Sequence, residues 1–256
     1  PKTVREIELA GVDLVVLAVP CSSLPAVVGE IGASVGDRSA VLVASKGLVP
    51  PLGTTPSAFV AERVTARAVA SLGGPVHARE AIELGAAVVV ATRDRDLRRQ
   101  LREVLEAGGL TVDSTDDVTG AELAACAKNA AAFASGAAAG RGANLAGAAA
   151  GRIFSEVHSL ALASGGRSET FAGLAGAGDL VATAIAAGSR NRRAGELLGS
   201  GMPTGQVEAA VQQTAESLAT VPLLTEAFAR EGIDAPVTAG LRRVLDGETS
   251  TDQWLE

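Results

Sequence analysis

A chain of 256 residues, 47% hydrophobic with a mean hydropathy of +0.28, holds enough apolar material for one large folded domain or two modest ones and too much for a disordered protein. Its 22 basic and 29 acidic side chains leave a net charge of −7, which argues against a general nucleic-acid or membrane-surface binder and makes each local basic cluster informative. Cys21 and Cys126 stand far apart with no C-x-x-C partner, and His77 and His158 lack helical ligand spacing, so neither a disulfide framework nor a metal site is expected.

The opening residues, PKTVREIELAG, lack the apolar core of a signal peptide, and no apolar run approaches the ~20 residues of a membrane span. The expected compartment is a reducing cytoplasm, with both cysteines acting as small buried hydrophobes. Five short stretches rich in Val, Leu and Ala read as strands: residues 12–20 (VDLVVLAVP), 39–45, 67–74, 86–93 and 110–115. Most lack clean alternation, the pattern of strands buried on both faces of a parallel sheet. Residues 94–107 (DRDLRRQLREVLEA) predict a helix with Leu97, Leu101, Val104 and Leu105 on one face and a glycine pair closing it. Strand and helix in turn imply right-handed βαβ crossovers and a doubly wound, Rossmann-type sheet over residues 1–116.

From about residue 118 the strand signals stop. Ala-rich segments with helical spacing follow, broken at GRGAN (140–144), SGGR (164–167), GLAGAGDL (173–180) and GSGMP (199–203). Residues 117–256 therefore read as an all-α domain, an α/β plus all-α organisation with a cleft between the parts. GLAGAGDL invites comparison with the dinucleotide fingerprint G-x-G-x-x-G, but the third glycine position is Val181 and the preceding RSETF is no buried strand.

Several residues carry chemistry. Lys128 and Asn129 interrupt a helix of small apolar residues; taken alone, Lys128 is either a surface lysine whose stem lies along the helix or an ammonium directed into a cleft. In a cleft, partial burial would lower its pKa and suit it to general acid work. Asp179 and Thr183 lie four apart and share a helical face, Asp179 being either an N-cap or a site carboxylate. Ser189, Arg190 and Asn191 follow a glycine, a group able to grip phosphate oxygens. Pro20, the Ser45-Lys46-Gly47 step and GGPVHARE (73–80) sit at strand ends, where open α/β sheets bind ligands.

Taken in order, AVP, SKG, GP-x-x-A-x-E, the D-x-x-G-x-E-x-x-x-x-x-KN helix, TFAGLAGAGDL-x-x-T and SRNR resemble the NAD(P)-dependent glycerol-3-phosphate dehydrogenases from about Val12 to about Gly247. The resemblance implies NADH- or NADPH-dependent reduction of dihydroxyacetone phosphate to sn-glycerol 3-phosphate, supplying phospholipid synthesis. It implies that Lys128 is the catalytic lysine and Lys46 holds substrate near the nicotinamide, with Asp179 and Thr183 around the reacting carbon and Asn129 beside Lys128. It further implies that Ser189, Arg190 and Asn191 grip the phosphate, that Gly74, Val76 and Ala78 border substrate and cofactor, and that Pro20, Arg190 and Glu216 complete the cofactor side. A homodimer would suit the Ala-rich helical part.

Four departures accompany the match. Val76 stands where the family has a hydroxyl, Ser217 follows Glu216 where the family has glycine, and tyrosine is absent. The family's glycine-rich β-α-β unit has no counterpart ahead of Val12, an expectation of an incomplete sheet with exposed apolar edges. A competing expectation is therefore an impaired descendant that binds a phosphorylated ligand or a partner protein without turnover. Another is a ketopantoate or 6-phosphogluconate type reductase, against which SRNR beside GAGDL speaks.

Overall fold

In the computed structural model, which describes residue 9 and residues 11–76, 78–186, 188–212 and 214–256, five strands form one sheet in the order β1-β2-β3-β4-β5. His77 and the opening residues 1–8 lie outside the described residues. The strands are β1 (Leu14–Leu17), β2 (Ala40–Val43), β3 (Ala68–Gly73), β4 (Ala87–Ala91) and β5 (Thr111–Thr115), each inside a stretch expected from sequence.

The Rossmann-type sheet expected from sequence is present and dominated by parallel pairs, with one antiparallel pair within it. β1, β2 and β3 run parallel and β4 and β5 run parallel, but β3 and β4 are antiparallel, with Ser71 opposite Ala91 and Gly73 opposite Val89. The three parallel links carry α1 (Leu24–Ile31), α2 (Pro56–Ala61) and, between β4 and β5, α4 (Arg95–Ala107), each with an apolar side that covers the sheet. The β3–β4 link carries α3 (Ala78–Leu84), whose Ile82 and Leu84 are 87% and 83% exposed. A helix that buries no face on the sheet cannot serve as a crossover, so the chain reverses instead, starting at Gly74 with φ +91°.

Alternation along the strands sorts the core. Val41 and Val43 join Leu24, Val28, Phe59 and Val60 on the face covered by α1 and α2. Leu42, Val88 and Val90 meet Leu97 and Leu101 of α4 on the other. Asp94 caps α4 by accepting from Leu97 N at 2.7 Å, and Leu105 is partly buried, but Val104, expected on the apolar face, is 64% exposed. Burial on both faces holds for β2; the edge strand β1 leaves Val16 53% exposed, and β5 exposes Thr111, Asp113 and Ser114.

The second part is helical throughout: α5 (Val118–Ala137), α6 (Ala143–Ala163), α7 (Ser168–Ala172), α8 (Asp179–Ile185), α9 (Arg190–Gly199), α10 (Thr204–Val211), α11 (Ser217–Glu231), α12 (Pro236–Leu245) and α13 (Thr251–Trp254). The four breaks expected from glycine clusters all fall between helices or at a helix end. Helix α5 lies at the centre, between α6 and α9, with Val89 and Ala91 of the sheet in the same cluster. Its contact with α9 is backbone against backbone: a Cβ on Gly136, Gly195 or Gly199 would overlap main-chain atoms of the facing helix. Among the described residues no single helix is long and apolar enough to cross a membrane.

Candidate active site

The site grows from three chain ends that meet. Strands β1, β2 and β3 share one direction, so Pro20, Lys46 and Gly74 follow their carboxyl ends on the same side of the sheet. Helix α5 starts beyond β5, on the opposite side, and runs back across the sheet to bring Lys128 there. Its start is fixed by Asp117, whose Oδ1 accepts from Gly120 N at 2.8 Å and whose Oδ2 accepts from Arg167 N at 2.9 Å and Thr170 Oγ1 at 2.6 Å. A side chain at position 120 would collide with that carboxylate, which explains the D-x-x-G step quoted from the sequence.

The third arrival is GLAGAGDL. It is neither strand nor phosphate loop: Leu174–Gly178 form a single π-helical turn that delivers Asp179 as the first residue of α8. Gly176 lies so close to the Phe171 carbonyl that no Cβ fits. Asp179 caps nothing in this position; it is 1% exposed and faces two ammonium groups. Lys46 Nζ donates to Asp179 Oδ2 at 2.9 Å and to Gly74 O at 2.9 Å, and Lys128 Nζ lies 3.4 Å from Asp179 Oδ1. Val76 N also donates to Gly74 O, at 2.9 Å, while the Val76 side chain packs with the cluster under α4.

Two cations on one carboxylate leave the site positive in an acidic chain, an arrangement suited to an anion. Burial pushes the Lys128 pKa below the ordinary lysine value, the charge of Lys46 pushes it further down, and Asp179 and Glu216 oppose both. Glu216 is moved the other way: burial raises its carboxyl pKa, while the Cys21 backbone N–H, Arg190, Lys128 and Lys46 pull it back. Burial likewise raises both cysteine thiols, in keeping with the small-hydrophobe reading.

The remaining candidates fall into two groups. Thr183, one turn beyond Asp179, is 4% exposed and its Oγ1 has no hydrogen-bond partner; Asn129 is buried beside Lys128. Ser189 caps α9 by accepting from Arg192 N at 3.3 Å, Asn191 Oδ1 accepts from Ser217 N at 3.2 Å, and Arg190 is exposed, with no ion pair among the described residues. Ala78 is exposed at the start of α3. A Cβ on Gly47 would come within 3.1 to 3.4 Å of Thr220 Oγ1, Cys21 Sγ and Glu216 Oε2, so the chain next to Lys46 has to be glycine. A cavity of about 560 Å³ lies elsewhere, between α9 and the C-terminal helices.

Glu122 is a residue whose importance motif reading did not reach. It sits in the quoted helix motif and is 3% exposed, and its two carboxylate oxygens accept from Ser57 N at 2.9 Å and Ser57 Oγ at 2.5 Å. A second overlooked signal is composition: Lys2, Lys46 and Lys128 are the chain's lysines, all its other basic residues being arginines. In a chain that replaces lysine elsewhere, two of them meet at one carboxylate.

A Rossmann-type sheet whose strand ends face an all-α part across a lysine–carboxylate cluster defines a two-part oxidoreductase class. Two family models match: "NAD-dependent glycerol-3-phosphate dehydrogenase N-terminus" over residues 5–98 and "NAD-dependent glycerol-3-phosphate dehydrogenase C-terminus" over residues 117–256. This chain belongs to the NAD-dependent glycerol-3-phosphate dehydrogenase family. The glycerol-3-phosphate dehydrogenase [NAD(P)+] of Synechococcus elongatus is 33% identical over 252 residues, 97% of this chain and 82% of that one. A crystal structure of glycerol-3-phosphate dehydrogenase from Coxiella burnetii superposes with a TM-score of 0.89 at 29% identity, covering 96% of this chain and 77% of that one. A ketopantoate reductase from Ralstonia eutropha shares the fold alone, with a TM-score of 0.61 at 17% identity over 97% of this chain and 78% of that one.

Proposed function

We propose that this protein reduces dihydroxyacetone phosphate to sn-glycerol 3-phosphate with NADH or NADPH, a reversible reaction that feeds glycerophospholipid synthesis in the cytoplasm. Two lysine ammoniums sharing one buried carboxylate carry the reading. Lys128 holds a proton at Nζ and gives it to the carbonyl oxygen, taking it back in the reverse direction; its lowered pKa makes it a better acid than an ordinary lysine. Asp179 keeps that ammonium charged and aimed against the cost of burial. Lys46, steadied by Gly74 O and Asp179, binds the substrate oxygens, and the unpartnered Thr183 Oγ1 is a ready donor beside them.

The phosphate goes to Ser189, Arg190 and Asn191, where an exposed guanidinium stands at the start of a helix with no acidic residue in its first turn. Asn129 and Gly74 complete the substrate side, and Val76 borders it through its backbone, its side chain being packed under α4. Pro20, Lys46, Ala78, Arg190 and Glu216 form the cofactor side, where the opposite charges of Arg190 and Glu216 suit a polar ring. When bound, the reduced nicotinamide supplies the hydride. Residues 1–116 serve the dinucleotide and residues 117–256 the substrate, and the Ala-rich helical part supports a homodimer. Oxidation of NADH or NADPH by the folded protein with dihydroxyacetone phosphate should far exceed that of Lys128→Ala; equal rates would overturn the reading.

A further inference from the structure

Glu122 is a carboxylate buried without a cation among its hydrogen-bonding partners, and burial raises its pKa, countered by hydrogen bonds from Ser57, Thr55 and Ser71. Such a group costs stability; an apolar side chain of similar size would often be tolerated as well or better. Its connections supply a reason to keep it. Glu122 rides on the same helix as Lys128, and the residue it grips, Ser57, is the second residue of α2, which ends the segment that begins with Lys46. That segment is held at its other end by Ser45 Oγ, which donates to Val19 O at 2.5 Å.

The contacts close a ring: Lys46 through the connecting chain to Ser57, across to Glu122, along α5 to Lys128, and through Asp179 back to Lys46. Inside the ring two like charges are held on one carboxylate, and like charges move apart when nothing else restrains them. We infer that Glu122 is a positioning residue that sets the spacing of the Lys46 and Lys128 ammoniums by tying α5 to the segment carrying Lys46. It touches neither lysine. The groups facing Lys128 are Lys46 from the β2–α2 segment, Asp179 from α8 and Glu216 at the start of α11.

The inference rests on the catalytic reading for its purpose, but its test does not. If the tie is cut, Lys46 can withdraw from Asp179. Lys128 then feels less repulsion and has the carboxylate to itself, and both changes raise its pKa. With lysine labelled at 13Cε, the protein gives three lysine signals, of which the Lys128 signal is followed against pH. In Glu122→Leu the Lys128 titration should move to higher pH, and in Glu122→Gln, which keeps an acceptor for Ser57 N, it should stay close to wild type. Turnover in Glu122→Leu should fall roughly tenfold or more at little change in the fraction folded, since small displacements of reacting groups cost rate steeply. Ser57→Ala, a mild change that removes one of the two bonds from Ser57, should shift the titration in the same direction and decides the matter should Glu122→Leu not fold. An unmoved Lys128 titration in folded Glu122→Leu, or in Ser57→Ala when that variant decides, would overturn the inference. A shifted titration in the variants of a wild-type protein that itself shows no turnover would instead leave the tie standing and remove the catalytic reading.

Discussion

The sheet part and the helical part bury their interiors by opposite means. Around β2 the core is made of branched side chains, with Val41, Val43 and Val60 all at or below 1% exposure. Around α5 it is rich in alanine, with Phe133 of α5 and Ile153 and Val157 of α6 filling the space between, and Gly136, Gly195 and Gly199 let main chain meet main chain. A valine core is vulnerable to removal of volume; a glycine contact is vulnerable to its addition. The two lysines divide along the same line: Lys46 is carried on a segment after a strand, Lys128 on a helix packed on nearly all sides.

Loss of each lysine sharpens that division most. Lys128→Ala should lower kcat by ~10² or more, the usual scale for a general acid, whereas Lys46→Ala should raise the KM for dihydroxyacetone phosphate more than it lowers kcat. Steady-state kinetics on both variants decides; equal effects on both constants would mean that the two ammoniums are not specialised. Next in size come the packing variants. Gly195→Ala should cost about 3 kcal/mol, because the new methyl meets the Phe133 carbonyl and the Ala137 N at 2.8 Å and backbone cannot step aside. Val41→Ala should cost about 2 kcal/mol by leaving a cavity. Urea denaturation tests both, and a neutral Gly195→Ala would break the contrast. Arg190→Ala should raise KM roughly tenfold with kcat nearly kept, as one charge-assisted contact to phosphate is lost. The smallest effect is on pH dependence. Glu122 and Glu216 hold protons more tightly folded than unfolded, so their contribution is fully present below the ordinary value of 4.5 and fades as pH rises through their raised folded values. Stability measured from pH 4 upward should therefore fall less steeply in Glu122→Gln than in wild type.

Much of this was legible from sequence where the signal is local. Valine-rich runs located all five strands, glycine clusters located four of the breaks among the later helices, and Lys128 and Asp179 stood out in small-residue surroundings, with Lys46 at a strand end. Strand direction was not legible, because it depends on whether α3 covers the sheet, and Ile82 and Leu84 make α3 read as apolar although they face solvent. Edge position was equally invisible in Val16, which matches the buried valines around it in type. Glu122 went unassigned since its partner, Ser57, is 65 residues away and only the fold joins them.

The reversal between β3 and β4 sets a length. It puts the end of β5 on the side of the sheet opposite Lys46, so the next helix must cross the sheet before a residue on it can reach Asp179. Four steps along a five-residue strand span about 13 Å at ~3.3 Å each, and ten helical steps from Val118 to Lys128 span about 15 Å at ~1.5 Å each. Helix α5 thus acts as a ruler matched to the width of the sheet, and one turn more or less would carry the ammonium ~5.4 Å past its carboxylate.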